Sequence, residues 1–352
     1  MINFNKDKTT INLEKELFEI ISQYLPENTV NLDKWEDILT NTEANPSVYH
    51  LLSKVRYYVA ILAKYNSINL SIVLYENNEA VGLMPLMIHK NLKDKWILSS
   101  NGNEIVEPIF KKSFRNISRK KIAKKIFEMI IAISKKLEID KCQFVNMEYF
   151  KLSEFYKYLL ELSQETFTTH HLLVDLSLSI EEIRARFRNS CKYRINQGFR
   201  EWQVEVHEEV SKKDFDSFRL LHKEVAKKTT RPIESWNIQK KEIDDKVSFM
   251  VTVSDHQDSV VGVGLFNCSK TLGVYESGAY KRELFNRPLG HPVQMRAIET
   301  LKKRGLSWYE LGQKFLNIDK HPPTEKELQI SHFKEGFATD VIARQHLIIK
   351  IL

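Results

Sequence analysis

The chain has 352 residues, 42% of them hydrophobic and 28% charged, with a formal net charge of +7. This is the composition of a soluble globular protein, and the length calls for two domains. The three cysteines, Cys142, Cys191 and Cys268, are far apart and lack CxxC spacing, which excludes a disulfide framework or a zinc site of the usual pattern and points to a reducing compartment.

The positive charge suggests anionic partners: nucleic acid, phosphorylated substrates or an anionic membrane surface. The acids Asp7, Glu14 and Glu16 near the start argue against a signal peptide. Even the apolar run Ile126–Ile133 is broken by Glu128, so no transmembrane segment is expected. The expectation is a cytoplasmic protein, peripheral at most at the inner face of the membrane.

Residues 1–66 read as a helical segment packed on the first domain, with Leu13, Leu17, Ile20 and Ile21 at helical spacing before Pro26. Strands are predicted over Asn69–Tyr75, over Ala80–His89 with Pro85 marking a bulge or edge, and over Lys95–Ser99. A helix over about Ile117–Leu137 carries Ile122, Ile126, Met129, Ile130 and Ile133 on one stripe. A strand at Lys141–Met147 completes a first domain over 67–170. The block Lys111, Lys112, Arg115, Arg119, Lys120, Lys121, Lys124 and Lys125 is either a solvated face or a patch for tRNA, a lipid-linked phosphate or an anionic membrane.

The second domain is placed at 171–352. After a short strand at Leu172–Leu176, Ser179 and Glu182 make a capping box. The helix behind it turns Ile183, Phe187 and Ile195 inward and presents Arg184, Arg186, Arg188, Lys192 and Arg194 outward. The Arg231-Pro232 loop precedes strands at Val247–Val253, Val260–Phe266 and Leu272–Tyr280. A helix from about Gly290 to Lys303, ended by Gly305, leads to a strand at Leu306–Leu311. The open N-terminus of that helix is an anion site in waiting, with Leu289, Gly290 and His291 at its start and Arg287 placed to help. Strand, turn, strand, strand, helix, strand thus occurs in both halves, offset by roughly 180 residues, as in a duplicated domain.

Three antiparallel strands followed by a helix opening on an anion site, and then a strand, is an order that resembles the GNAT acyltransferase fold. The stretch Arg287-Pro288-Leu289-Gly290-His291-Pro292 is similar to that superfamily's Q/R-x-x-G-x-G/A cradle and departs from it at Pro292, which has no N–H to offer phosphate. The tandem order resembles the FemAB-like branch, including the BioF2-like acetyltransferases. The residues that carry the likeness are Gly82-Leu-Met-Pro85-Leu86, Val174-Asp175-Leu176-Ser177, the basic helix Arg184–Gly198, Tyr275-Glu-Ser-Gly-Ala279, Lys303-Arg-Gly-Leu-Ser-Trp-Tyr-Glu-Leu-Gly312 and His332-Phe333-Lys334-Glu335-Gly336-Phe337. Together they cover about 68–350.

The resemblance implies a mixed α/β (α+β) fold of two tandem GNAT-like domains with mainly antiparallel central sheets. It implies transfer of an acyl group, acetyl foremost, from acetyl-CoA or another acyl-CoA to an amine on a nucleotide- or lipid-linked sugar or cell-envelope precursor. The alternative is a FemX-like aminoacyltransferase that takes its donor from aminoacyl-tRNA for peptidoglycan bridges. A rival of another class is a non-catalytic nucleic-acid or membrane-surface binding protein, drawing on the basic helices at 111–125 and 184–200 and on the Pro292 departure from the cradle.

In the FemAB type a Phe-Lys pair takes part in catalysis, and it matches Phe333 and Lys334. Acyl transfer to an amine needs a proton acceptor, oxyanion donors and a proton for the leaving group. Glu276 is the candidate base, Tyr275 or Tyr280 the proton donor, and Lys334 the stabiliser of negative charge. Since strand side chains alternate, Tyr275 and Glu276 share a site only across a bulge. Arg188, Lys192, Arg194, Tyr275 and Arg231 are the candidate substrate-binding residues. No metal-ligand spacing appears around His170, His171 or His321.

Overall fold

The computed structural model describes residues 8–26, 32–42, 44–114, 116–149 and 151–351. Arg115 of the basic block and Asp7 lie outside them. The chain forms two compact units, Met1–Thr168 with Arg344–Leu352, and Thr169–Ala343.

The first unit opens with α1 (Lys8–Tyr24), α2 (Trp35–Asn41) and α3 (Leu52–Ile61). The strand expected at Asn69–Tyr75 is two pieces, β1 (Ile68–Asn69) and β2 (Ile72–Glu76), and Ala80–His89 is likewise β3 (Glu79–Met84) and β4 (Met87–Lys90). Pro85 is the reason for the second break, because it has no N–H for a ladder. The pieces join different sheets, β2–β3–β7 and β1–β4–β5, with β5 at Trp96–Ser99 and β7 at Ile109–Phe110. The Ser71 hydroxyl oxygen accepts the Leu86 N–H at 3.0 Å, and the Ser100 hydroxyl donates to the Pro85 carbonyl at 2.6 Å, so the break leaves these groups paired.

Helix α4 (Asn116–Lys136) buries Ile122, Ile126, Met129, Ile130 and Ile133 as its periodicity predicts, against α1, α5 (Glu154–Leu162) and the strands. Strand β8 (Lys141–Val145) pairs antiparallel with His346–Lys350 and parallel with β6 (Ile105–Val106). That parallel pairing lasts two residues, Ile105↔Phe144 and Val106↔Val145. Just past it, buried Glu107 sets both carboxylate oxygens 3.1 Å from the Met147 N–H.

Several cations of the basic block meet acids. Lys111 pairs with Asp37 at 2.6 Å, Lys120 with Glu154 at 3.4 Å and Lys124 with Glu128 at 3.9 Å, while Arg119 donates to the Lys111 carbonyl. These surface pairs add ~0–1 kcal/mol each but lower the local positive charge that a polyanion would meet.

The second unit begins within β9 (Glu165–Asp175), which is longer than the expected Leu172–Leu176 because its first half is polar. Ser179 and Glu182 form the predicted capping box on α6 (Ile180–Arg186). The single helix expected there is two, for Phe187 and Arg188 are extended before α7 (Asn189–Glu201). Phe187 buries its ring against Phe337, centroids 5.5 Å apart, and that packing outweighs helix continuation.

Strands β10 (Gln203–His207), β11 (Ser248–Ser254), β12 (Val260–Cys268) and β13 (Leu272–Tyr280) form an antiparallel run. Strand β14 (Trp308–Lys314) joins β13 in parallel and β9 antiparallel. One face of this sheet carries α6, α7 and α10 (Gly290–Lys303), whose Val293, Ala297, Ile298 and Leu301 point inward. The other carries α8 (Lys212–Ala226) and α9 (Ile233–Asp244) through Phe215, Phe218, Leu221, Trp236 and Ile243. Helix α11 (Glu325–Glu335) and β15 (Asp340–Lys350) close the chain. Among the described residues, no helix is long and apolar enough to cross a membrane.

Candidate active site

The second unit's sheet opens into a fork. Strands β13 and β14 are parallel Cα partners only at Leu272↔Trp308, Gly273↔Tyr309 and Val274↔Glu310. Beyond these, each strand carries one extra residue. Tyr275 partners Phe266 and Ser277 partners Leu265, so Glu276 is a bulge; Glu310 partners Leu173 and Gly312 partners Leu172, so Leu311 is another. Bulges bend strands and sharpen their twist, and here they fall where the two strands part. The bulge at Glu276 also breaks the alternation that would have put Tyr275 and Glu276 on opposite faces.

Helix α10 starts at the open end of the fork. Its Val293 lies against Gly264, the partner of Gly278 late in β13, while its Leu301 lies against Gly273 at the closed end. The last turn of α11 reaches the same place. The Lys334 ammonium stands 5.4 Å above the centroid of Tyr275 and against Gly312 of β14. A Cβ on Gly312 would come within 2.5 Å of Lys334 Nζ, and the φ of +127° at this residue already disfavours any side chain. Gly312→Ala is expected to cost ~1–3 kcal/mol and to push the lysine from its seat, checked by thermal melting together with turnover.

Around this point the chemistry is distinct from that of the surface. The Tyr275 and Tyr280 hydroxyls are 3.2 Å apart, and burial pushes Tyr275 up to about 12 and Tyr280 well above the usual phenol range. The pair therefore stays protonated at neutral pH and can give or share a proton without carrying charge. Burial lowers the ionisation range of Lys334, and the Glu310 carboxylate opposes that shift. Glu310 accepts from His171 Nδ1 at 2.7 Å, with both side chains almost out of solvent.

Phe333 lies against Gly290 and edge-on to His291, centroids 5.1 Å apart. Burial and the nearby Arg194 charge push His291 down to about 4, so its ring is neutral. Leu289 is in the core. Pro292 packs on Gly198 of α7, so the first turn of α10 is crowded on both sides.

The structure thus brings together Tyr275, Tyr280, Phe333, Lys334, Gly290 and His291, with Glu276 in the adjacent bulge. Other expected residues are engaged elsewhere. The Arg287 Nε–H donates to Glu201 at 3.0 Å and its guanidinium stacks on Trp202 at 3.9 Å. Arg188 binds the His332 ring and carbonyl at 2.9 and 3.2 Å, Arg194 the Asn286 carbonyl at 3.3 Å, and Lys192 the Ala185 carbonyl at 2.9 Å. Arg231 stacks on Trp236, at 3.7 Å, in the cluster on the opposite face of the sheet. Glu310, His171 and Gly312 are not among the site residues expected from the sequence; the signals there were the likeness over Lys303–Gly312 and an acid inside the apolar strand around Trp308-Tyr309. Among the described residues, no three His, Cys, Asp or Glu side chains are grouped to hold a metal ion.

No family model matches the chain, and no curated protein sequence matches it. Solved structures do. FemX is 12% identical with a TM-score of 0.65, over 90% of this chain and 96% of that one. L-PGS from Bacillus licheniformis is 12% identical with a TM-score of 0.60, over 91% and 92%. The C-terminal domain of a putative lysylphosphatidylglycerol synthetase from Agrobacterium fabrum is 10% identical with a TM-score of 0.56, over 95% and 92%. At such identities the likeness is one of fold, an arrangement of mixed helices and largely antiparallel sheets shared with FemX and L-PGS.

Proposed function

We propose that this chain is an N-acyltransferase that moves an aminoacyl group from an aminoacyl ester, as in aminoacyl-tRNA, to an amine on a lipid- or nucleotide-linked precursor. The observation that carries the reading is the Lys334 ammonium at the β13–β14 fork, over Tyr275 and beside a bulged strand. In the reaction the acceptor nitrogen bonds to the carbonyl carbon, the ester C–O bond breaks, and the amine's proton leaves as the alcohol gains one. Negative charge collects on the carbonyl oxygen in between, where a fixed cation in a water-poor site is most effective. The Tyr275–Tyr280 hydroxyl pair is suited to supply the alcohol's proton, and Glu276 to take the amine's, directly or through water.

An ester donor is favoured over a thioester by the crowding at α10. A CoA pyrophosphate would use that first turn and Arg287, but Phe333 and α7 press on the turn, Pro292 has no N–H, and Arg287 is tied to Glu201. The fold likeness to FemX and to lysylphosphatidylglycerol synthetase, whose name contains an aminoacyl-lipid product, supports the same donor class. The acyl-CoA reading is kept second because the helix start still faces the open end of the fork.

Incubation with charged tRNA and with acetyl-CoA in turn, with an amine acceptor and mass-spectrometric detection, separates the readings. Transfer from charged tRNA is expected. Transfer from acetyl-CoA alone reassigns the donor, and Arg287→Ala should then raise KM for acetyl-CoA. No transfer from either donor removes the acyltransferase reading.

A further inference from the structure

His171 and Glu310 form a hydrogen-bonded pair at the fork, where Lys334 also brings its ammonium. His171 on β9 holds Glu310 on β14 through the 2.7 Å contact from Nδ1, and its Nε2 is 3.0 Å from the Thr169 hydroxyl, so both ring nitrogens are engaged and the ring is fixed. A fixed ring fixes the carboxylate. Glu310 is the last residue of the parallel pairing, the Cα partner of Val274. The next residue of β13 is Tyr275, under the Lys334 ammonium, and two residues on in β14 is Gly312, against the same ammonium. Glu310 therefore lies at the closed end of the fork, two residues before the Gly312 against which the ammonium sits.

We propose that Glu310, braced by His171, is a positioning residue that holds the Lys334 ammonium charged and in place at the mouth of the fork. Without a carboxylate, a lysine withdrawn from water gives up its proton more readily, because burial penalises the charged form. A neutral amine there offers no charge to a developing oxyanion. Burial acts on Lys334 in that direction and Glu310 acts against it.

The other titratable groups around Lys334 do not do this work. Tyr275 and Tyr280 on β13 are neutral, as is His291 on α10. On α11, Glu335 is taken up by Lys314 of β14 and lies 3.9 Å from Arg188, which also holds His332. Glu276 of β13 lies in the bulge next to Tyr275, and the carboxylate whose charge acts on Lys334 is Glu310.

The proposal rests on the acyltransferase reading for its use but is tested without substrate. On the full-length protein, the rate at which acetic anhydride labels Lys334 is followed against pH by peptide mass spectrometry, since only the neutral amine reacts. Glu310→Gln should move the midpoint down by about one pH unit, so that labelling at a pH below both midpoints rises about tenfold. Glu310→Asp, which keeps the charge, should stay near wild type.

A Glu310→Gln midpoint equal to wild type overturns the proposal. If that variant does not fold, His171→Phe replaces it: loss of the brace should raise labelling at least threefold, and an unchanged rate overturns the bracing. Should the midpoint shift while no donor supports transfer, the charge pairing stands and the acyltransferase reading falls. Where transfer is seen, the alkaline limb of kcat should move to lower pH in Glu310→Gln.

Discussion

Lys334→Met should lower kcat ~100-fold, the scale of losing one oxyanion donor, and lower kcat/KM by the same factor. The ammonium sits over Tyr275 and against Gly312, with the Glu310 charge acting on it, rather than floating in solvent, so it is already organised before any charge develops. A group of that kind acts in the transition state more than in the ground state, and its loss leaves KM nearly unchanged. Methionine is one atom shorter but keeps the unbranched apolar stem, so Phe333 keeps its place against Gly290 and His291. Steady-state kinetics of the single variant distinguish three roles. Equal falls in kcat and kcat/KM support the transition-state role; a raised KM with intact kcat assigns Lys334 to substrate binding; wild-type values for both make it a structural cation and sink the assignment.

Much of the frame was legible from the sequence because it follows local rules. The α4 stripe, the α10 start at Gly290, the capping box at Ser179 and the β12–β13 strands obey periodicity and cap chemistry, which act within a few residues. What local rules cannot see is register. The bulges at Glu276 and Leu311 follow from pairing with β12 and β9, and they decide where the fork opens. The break at Phe187-Arg188 is likewise set by a partner, Phe337, 150 residues away.

Site residues divide the same way. Phe333 and Lys334 came from a family likeness and Tyr275 from the chemistry of acyl transfer, and the three meet at one place. Arg287 was placed by its distance along the chain from Gly290, and it turns instead to Glu201 and Trp202 on the neighbouring α7–β10 segment. Glu310 and His171 are 139 residues apart, so no spacing rule could join them. Helix α9 and β15 carry no signal used in the sequence, and Lys334 lies in the last turn of α11.

Glu107→Gln should make the protein more stable above pH 7 and remove a fall in stability that the wild type shows between about pH 4.5 and pH 7. The first unit also has a parallel pair that parts early, β6 and β8, but there the next residue turns a carboxylate inward onto the Met147 N–H. Burial pushes Glu107 up to about 7. A carboxyl whose folded value is raised binds its proton more tightly in the folded state, so its contribution is full below the unfolded value near 4.5 and is lost as pH rises through 7. The size is on the order of 3 kcal/mol once the group is ionised. Neighbouring His50, pushed down to about 4 by burial, has the opposite sign: it is held neutral, with Nε2 2.9 Å from the Glu107 carbonyl, and adds stability as pH rises from about 4 to 6.5. The two slopes overlap in the wild type, so the informative quantity is the difference between wild type and Glu107→Gln at each pH. Glutamine cannot ionise and can still accept the Met147 N–H. Urea midpoints at pH 5, 6, 7 and 8 should diverge in favour of the variant with rising pH, and parallel midpoints across that range would show that Glu107 ionises in the folded protein as it does in water.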